Sequence, residues 1–171
     1  MFRPTRLAPN HDTSNFECEN ALLTDWLKKH ALQSDKGKST ATFVVTADGE
    51  KVIGYYSYTV GSVQYDDSPS RLKKGLARHP IPIVLLARFA RDITVKGQGL
   101  GPKMIKDALL RLLFLNEKVN VPFRAIVVDA IDEKAKVFYG KFGFEEWPVD
   151  NMRMWVLMKD VKKSLQEQLK D

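Results

Sequence analysis

Cysteine is almost absent from this chain, which has Cys18 alone among its 171 residues. A single thiol excludes an internal disulfide and most cysteine-based metal sites. Only three histidines accompany it, and they are scattered along the sequence. The sequence therefore predicts no metal centre. We expect Cys18 itself to be a small buried side chain rather than a nucleophile, because no nearby histidine supports it.

Long apolar runs are also missing. No run approaches the length of a membrane-spanning helix, and residues 1–6 contain no apolar signal core. Acidic residues are outnumbered, with 21 Asp and Glu against 27 Lys and Arg and a net charge of +6. This balance favours an anionic partner, with nucleic acid ahead of a membrane. We expect a cytoplasmic protein with no membrane partner.

A single domain is the simplest organisation for this length. The chain is 44% apolar and can build a full core, and no repeat, low-complexity run or linker divides it. We therefore predict one domain over residues 1–171.

The N-terminal half carries patterns typical of antiparallel strands. A short first strand is predicted within residues 1–8 and a helix over residues 20–33, with Trp26 in the core. Strand patterns at residues 40–46 and 52–60 are joined by Asp48-Gly49-Glu50, a good hairpin turn. The tyrosines on the second strand are interpreted as packing residues, since aromatic side chains are common on half-buried strands.

The stretch that organises the chain lies at residues 82–115 and predicts a strand, a glycine turn and a helix. The turn is Lys96-Gly97-Gln98-Gly99-Leu100-Gly101-Pro102. Glycine permits conformations that a β-carbon hinders, and proline suits the first turn of a helix. N–H groups at the positive end of the following helix dipole would form a site for phosphate or pyrophosphate. The alternative is a tight connection with a glycine packed under the helix.

Two familiar phosphate-binding loops do not fit this turn. Gly101 is not followed by Lys-Ser or Lys-Thr, as an NTP-binding P-loop requires. The glycine turn of a dinucleotide fold follows the first strand, whereas this turn lies past the middle of the chain.

Residues 64–82 are polar and strongly basic, with a short surface helix predicted around Leu72 and Leu76. Charge runs are usually only solvated faces, but this run leads directly into the strand before the glycine turn. A basic rim beside a ligand site is what a long anionic substrate needs.

The C-terminal part predicts one more buried strand and a capped helix. Residues 125–128 form a nearly continuous apolar run, typical of a parallel strand, and Asp132 can cap the helix that follows. Gly143 helps to end that helix. Closing strands are predicted at residues 142–144 and 152–158, with a last amphipathic helix through Val161, Leu165 and Leu169.

Two of these segments resemble the signature motifs of GNAT N-acetyltransferases. Residues 96–101 resemble the acyl-CoA pyrophosphate loop, Gln/Arg-x-x-Gly-x-Gly/Ala, and residues 132–144 resemble Asn-x-x-Ala-x-x-Phe-Tyr followed by Phe-Gly-Phe. The resemblance implies an α/β (α+β) GNAT fold with a mixed central sheet. Its N-terminal half is antiparallel, and its parallel central strands splay around acetyl-CoA between flanking helices. Lys96 and Asp132 depart from the family, which prefers Gln or Arg and Asn at these positions.

A narrower resemblance is to the acetyltransferase toxins of type II bacterial toxin–antitoxin systems, the TacT-like branch. Phe16-x-Cys18, Gly54-Tyr55-Tyr56-Ser57 and residues 86–92 carry it. It implies acetylation of the α-amino group of aminoacyl-tRNA, which blocks translation, and neutralisation by a ribbon-helix-helix antitoxin. DNA would be bound only through the antitoxin complex. A homodimer is a candidate assembly, and the oligomeric state stays open.

The resemblance also implies roles for individual residues. Tyr139 would be the catalytic acid that protonates the CoA sulfur. Backbone N–H groups near Ala90 and Arg91 would orient the acetyl group and stabilise the oxyanion. The other residues expected to bind acetyl-CoA are Lys96, Gly97, Gln98, Gly99, Leu100, Gly101, Pro102, Asp132, Ala135 and Phe138. The residues expected to hold tRNA phosphates are Lys28, Lys29, Lys36, Lys38, Arg71, Lys73, Lys74 and Arg78.

Two other functions remain open at this point. One is an acetyltransferase whose acceptor is a small-molecule amine, a polyamine or a protein amine instead of aminoacyl-tRNA. The other is a binding protein that works mainly within a DNA-bound repressor complex with its antitoxin. No carboxylate stands out as a general base, which favours an α-amine, with a pKa of about 7.7–8.0, over a lysine amine at about 10.4.

Overall fold

The structure is a computed structural model that describes residues 3–170. Its strands are β1 (Thr5–Arg6), β2 (Ala41–Thr46), β3 (Val52–Val63), β4 (Ile81–Arg91), β5 (Ala125–Asp129), β6 (Glu145–Trp147) and β7 (Asp150–Leu157). Its helices are α1 (Ala21–Lys29), α2 (Ala31–Lys36), α3 (Ser70–Lys73), α4 (Leu100–Glu117), α5 (Glu133–Gly140) and α6 (Met158–Gln168).

The seven strands form one mixed sheet in the order β1-β2-β3-β4-β5-β7-β6. The hairpin of β2 and β3 is antiparallel and pairs Phe43 with Tyr56. Strands β4 and β5 are parallel, with Val84 opposite Ile126, and β7 returns antiparallel to β5. The predicted mixed α/β sheet, with an antiparallel N-terminal half and parallel central strands, is confirmed.

Contacts divide the chain into two compact units. Unit 1 comprises Met1–Thr59 and Ala87–Ala108, and unit 2 comprises Val60–Leu86 and Leu109–Asp171. The prediction of one domain stays a prediction.

The core of unit 1 gathers apolar residues from its first strands and helices around a buried tyrosine. Phe16, Leu27, Val44 and Tyr55 are all almost inaccessible to solvent. A second cluster packs Val45 of β2 against Leu100 and Met104 of α4. Helix α4 approaches β3 closely at Gly54, where an added Cβ would lie 2.7 Å from Met104 Sδ. The start of α4 is therefore held against the hairpin.

Unit 2 has its own core. The buried residues in it are Val63, Leu72, Ile81, Ile83, Ala125, Val127, Trp147, Trp155 and Leu157. Arg124 holds the basic segment against this core by donating to the carbonyls of Leu72, at 2.6 Å, and Lys74, at 2.7 Å.

Several predicted elements need correction at their ends. The helix predicted over residues 20–33 is two helices, because His30 adopts φ −127° and interrupts the helical path between α1 and α2. The strand predicted at residues 142–144 begins at Glu145, because Gly143 has φ +89° and keeps the preceding residues in a turn. Leu169 lies beyond α6 and is 86% exposed. The first strand covers Thr5–Arg6, and residues 1 and 2 of that prediction lie outside the described residues.

No helix within residues 3–170 is both long and apolar enough to cross a membrane. In the same range, no group of three or more His, Cys, Asp or Glu side chains is arranged to hold a metal ion.

Candidate active site

The glycine turn of unit 1 leads from β4 through a short 3-10 turn, Ile93–Val95, to the start of α4. Gly97 and Gly99 have φ values of +77° and +76°, a region that favours glycine because a side chain is strained there. Gly101 and Pro102 instead lie in the first turn of α4, as the proline predicts. The predicted strand, turn and helix are therefore present.

The turn leaves backbone donors unused at the start of α4. Lys96 and Gln98 donate their N–H groups within the turn, to the carbonyls of Ile93 and Val95 at 3.3 Å in each case. The N–H groups of Gly99, Leu100 and Gly101 have no acceptor within the described part of the chain. They stand at the positive end of an 18-residue helix, an arrangement that favours an anion.

The side chains of the turn are engaged with other groups, which leaves the backbone of the turn as the candidate binding surface. Lys96 forms an exposed ion pair with Glu19. Gln98 donates through Nε2 to the Thr94 carbonyl at 3.4 Å. An added Cβ at Gly97 or Gly99 would meet nothing within 4 Å, so the space beside both glycines is open.

Asp92 anchors the turn, a role that the sequence motifs do not predict. It is 3% exposed, and its Oδ1 accepts from the Thr94 N–H at 2.9 Å and from Thr94 Oγ1 at 2.6 Å. Its Oδ2 accepts from the Glu17 N–H at 2.9 Å. The backbone of the same segment is tied down as well, since the Asp92 N–H donates to the Ile53 carbonyl at 2.8 Å. An Asp followed two residues later by Thr, where a strand ends, is the local signal that could have revealed it.

The electrostatics of Asp92 favour its charged form. Burial raises the pKa of the Asp92 carboxyl, but the hydrogen bonds from Thr94 and Glu17 outweigh this and hold that pKa below its usual value. The carboxylate therefore stays ionised and holds three donors at the entrance to the glycine turn.

Ala90 and Arg91, whose N–H groups are predicted to face the acetyl group, are the last two residues of β4. Ala90 is buried in the core of unit 1, beside Phe16 and Tyr55, and Arg91 is half-buried.

The second motif lies in unit 2 and begins as the sequence predicts. Asp132 caps α5, with its Oδ1 accepting from the Ala135 N–H at 2.8 Å. Ala135 and Phe138 are half-buried on this helix. Phe138 contacts the Tyr139 ring edge-on, with 5.3 Å between the ring centres.

Tyr139 is held in place from several sides. It is 6% exposed, and its ring also contacts Phe144 at 5.5 Å between centres. Its carbonyl accepts from the N–H groups of Phe142, at 3.0 Å, and Phe144, at 3.3 Å. Burial raises the pKa of the Tyr139 phenol, so the hydroxyl stays protonated well into the alkaline range. A protonated phenol on a fixed ring suits a proton donor.

The predicted tRNA contacts are divided between the two units. In unit 1, Lys28 and Lys29 end α1, Lys36 ends α2, and Lys38 follows in a turn with φ +59°. Lys29 is within 3.7 Å of Asp25, and both side chains are exposed. These four cations lie on two consecutive short helices and the turn after them.

The basic segment of unit 2 is less uniform than its sequence predicts. Arg71 is compensated by Asp160 at 2.8 Å and by Glu145 at 3.7 Å. Lys73 and Arg78 both lie over the Tyr65 ring, at 5.3 and 5.9 Å from its centre. Arg78 also pairs with Asp66 at 3.2 Å, while Lys74 is exposed. Two of the four predicted phosphate contacts in this segment therefore already have acidic partners.

No protein-family model matches the chain. A curated relative from Mycobacterium tuberculosis (strain ATCC 25618 / H37Rv), named tRNA-acetylating toxin, is 34% identical over 159 residues, which is 93% of each chain.

Two solved structures resemble the fold. AtaT complexed with acetyl-methionyl-tRNAfMet superposes with a TM-score of 0.86 at 22% identity, over 96% of this chain and 99% of that one. A tyrosine-to-phenylalanine mutant of AtaT, bound to the C-terminus of the antitoxin AtaR and to acetyl-CoA, gives a TM-score of 0.81 at 21% identity. It covers 97% of this chain and 99% of that chain. At these identities the likeness shows the fold, and it confirms the predicted GNAT architecture.

Proposed function

Because this chain belongs to the family of tRNA-acetylating toxins, we propose that it transfers acetyl from acetyl-CoA to the α-amino group of an aminoacyl-tRNA and so blocks translation. The observation that carries this proposal is the 34% identity to a tRNA-acetylating toxin over 93% of both chains. The unused N–H groups at the start of α4 support it, because the pyrophosphate of CoA is the anion that such a turn would bind.

The glycine turn is the proposed binding site for acetyl-CoA, through its backbone. Gly99, Leu100 and Gly101 supply the donors for the pyrophosphate, and Asp92 fixes the segment that leads to them. Lys96, Gly97, Gln98 and Pro102 complete the turn. Asp132, Ala135 and Phe138 contribute from the second motif.

The proposed reaction needs a neutral amine, donors for the oxyanion and an acid for the leaving thiolate. An α-amine has a pKa of about 7.7–8.0, so a substantial fraction is neutral at cellular pH without a dedicated base. The N–H groups at Ala90 and Arg91 stabilise the oxyanion that forms when the amine attacks the thioester carbonyl. Tyr139 gives its proton to the sulfur as the carbon–sulfur bond breaks. The proton that the attacking nitrogen loses passes to water, and water returns a proton to Tyr139.

The body of the tRNA is proposed to be held by contacts to its phosphates, which position the acceptor without reading its sequence. These residues are Lys28, Lys29, Lys36, Lys38, Arg71, Lys73, Lys74 and Arg78. A small cationic acceptor such as a polyamine calls instead for acidic residues. The net charge of +6 therefore favours the RNA.

An antitoxin is the proposed protein partner, since AtaT, a structural neighbour, is solved with the antitoxin AtaR. We propose the ribbon-helix-helix type for this partner, DNA binding only through the joint complex, and a homodimer as the assembly of the chain itself. The proposed substrate is the charged tRNA of active translation, so the proposed site of action is the cytoplasm.

Label transfer from radiolabelled acetyl-CoA tests the function. Bulk aminoacyl-tRNA is the substrate, with deacylated tRNA, polyamines and a peptide mixture in parallel reactions. We expect label only in the charged tRNA, and we expect it to leave with the amino acid on mild alkaline deacylation. Label in polyamine or peptide, with charged tRNA unlabelled, would overturn the proposed acceptor and leave the acetyltransferase assignment in place.

A further inference from the structure

Arg88, on β4 in unit 1, lies over the ring of Trp26, which itself stacks on Tyr55. Its guanidinium carbon is 4.0 Å from the centre of the Trp26 ring, close enough for a strong cation–π contact. The indole in turn stacks on Tyr55, with 6.0 Å between ring centres and 16° between planes. The Tyr55 hydroxyl is fixed by donating to the Leu23 carbonyl at 2.6 Å. The guanidinium therefore rests on a ring that is itself held in place by Tyr55.

The charge of Arg88 is not balanced by the protein. Within residues 3–170, no carboxylate or carbonyl accepts a hydrogen bond from its five N–H donors. By contrast, Arg6 is paired with Asp35 at 2.7 Å, and Arg153 with Asp129 at 2.8 Å. Burial lowers the pKa of the Arg88 guanidinium, and the opposing effect of the nearby Tyr55 is smaller. A half-buried cation without an anionic partner in the described chain is suited to bind an anion from outside it.

The position of Arg88 connects it to the reaction. Side chains alternate along a strand, so Arg88 and Ala90 face the same side of β4, about 7 Å apart along the strand. The Ala90 N–H is one of the proposed donors to the reacting carbonyl. Helix α1, which carries Trp26, also carries the proposed phosphate contacts Lys28 and Lys29.

We infer that Arg88 is a phosphate-binding residue, supported by Trp26 as a positioning residue, and that its anion is a phosphodiester near the aminoacylated end of the tRNA. This inference rests on the proposed function. The guanidinium matches a phosphate because it can donate two parallel N–H bonds to two oxygens. A phosphate of CoA has the same chemistry. The contact of Arg88 with Trp26 on α1, the helix that also carries the proposed RNA contacts Lys28 and Lys29, favours the RNA.

The test compares Arg88→Gln and Arg88→Lys with Arg3→Gln, which removes one charge from an exposed arginine outside the site. The affinity for deacylated tRNA is measured at several salt concentrations. KM and kcat are measured with aminoacyl-tRNA, acetyl-CoA and acetyl-dephospho-CoA. We expect Arg88→Gln to weaken tRNA binding and raise the KM for aminoacyl-tRNA at least tenfold, since a charge-assisted contact is lost. The logarithmic salt slope should fall by about 0.7.

The other variants separate this role from a structural one. Arg88→Lys should recover part of the tRNA affinity because it keeps the charge, and Arg3→Gln should match the native protein. Binding of acetyl-CoA within twofold of the native value shows that the variants are folded. A loss of affinity for acetyl-CoA that is absent with acetyl-dephospho-CoA, in a variant whose melting temperature is unchanged, would overturn the assignment to tRNA and place the contact on the CoA 3′-phosphate.

Unchanged binding of both substrates by folded Arg88→Gln would also overturn the inference. The measurement of deacylated tRNA binding also distinguishes the Arg88 contact from the proposed acetyltransferase function. If the native protein binds tRNA through Arg88 but acetylates no aminoacyl-tRNA, the proposed function fails and the phosphate contact stands.

Discussion

The Tyr139 hydroxyl is the group on which the proposed chemistry depends most directly. We expect Tyr139→Phe to bind acetyl-CoA as the native protein does, because the ring contacts to Phe138 and Phe144 need no hydroxyl. Turnover should fall by about 10²–10⁴, the usual contribution of a positioned acid. Calorimetric binding of acetyl-CoA and label transfer to charged tRNA measure the two properties separately. Native turnover by this variant would remove Tyr139 from the mechanism.

Asp92 is expected to affect both stability and the proposed binding of acetyl-CoA through a single carboxylate. Asp92→Asn replaces one acceptor oxygen by a donor that faces either Thr94 or the Glu17 N–H. We expect a loss of about 1–3 kcal/mol in the free energy of unfolding and weaker acetyl-CoA binding. Urea unfolding and calorimetry measure these, with Asp67→Asn as the control because Asp67 is exposed in unit 2.

The effect of Asp92 should also depend on pH. Its folded-state pKa lies below the unfolded value of about 3.9, so its stabilisation is complete above that value and is lost as the pH falls through the folded pKa. The difference in unfolding free energy between native protein and Asp92→Asn should therefore be constant from pH 7 to 5. It should shrink below about pH 4, and a constant difference at acid pH would contradict the assignment.

At the scale of elements, the glycine turn offers a matched pair of substitutions. Gly99 in the turn and Gly49 in the β2–β3 hairpin both have positive φ, at +76° and +94°, and neither has an atom within 4 Å of an added Cβ. Alanine at either position should cost about 1–2 kcal/mol of backbone strain. Only Gly99→Ala should weaken the binding of acetyl-CoA, because only that turn bears the proposed pyrophosphate donors. Equal affinity for acetyl-CoA in both variants would argue against the turn as its binding site.

Local patterns were enough to predict most elements. The hairpin, β5 and the Asp132 cap each depend on a few consecutive residues, and these were predicted correctly. The break at His30 was missed because every residue around it is compatible with a helix.

The site was harder to predict because its supports are distant in sequence. Asp92 is held by Glu17, and Arg71 is neutralised by Asp160, contacts that no local pattern reveals. The cation–π contact of Arg88 with Trp26 likewise joins β4 to α1. The motifs predict which segments form the candidate site. The tertiary hydrogen bonds and ion pairs determine which side chains in those segments are left to contact a ligand.

At the scale of the whole molecule, the charge of +6 governs how tRNA is attracted. We expect neutralisation of Lys73, Lys74 and Arg78 to glutamine to weaken tRNA binding and to lower the logarithmic salt slope by about 2. The control triple, Lys118, Lys163 and Lys170 to glutamine, removes the same charge from exposed positions elsewhere. Titrations of labelled tRNA at several salt concentrations compare the two. Equal slopes would show that net charge, rather than the basic segment, holds the RNA.

The stack of Arg88 on Trp26 also gives the molecule an optical reporter. The chain has three tryptophans, and Trp147 and Trp155 are buried in unit 2, whereas Trp26 is half-buried beside a cation in unit 1. Indole emission shifts with nearby charge, so an anion arriving at Arg88 should change the fluorescence of Trp26 and leave the other two unaltered. Occupancy of the proposed phosphate contact at Arg88 could then be followed in real time without attaching a dye.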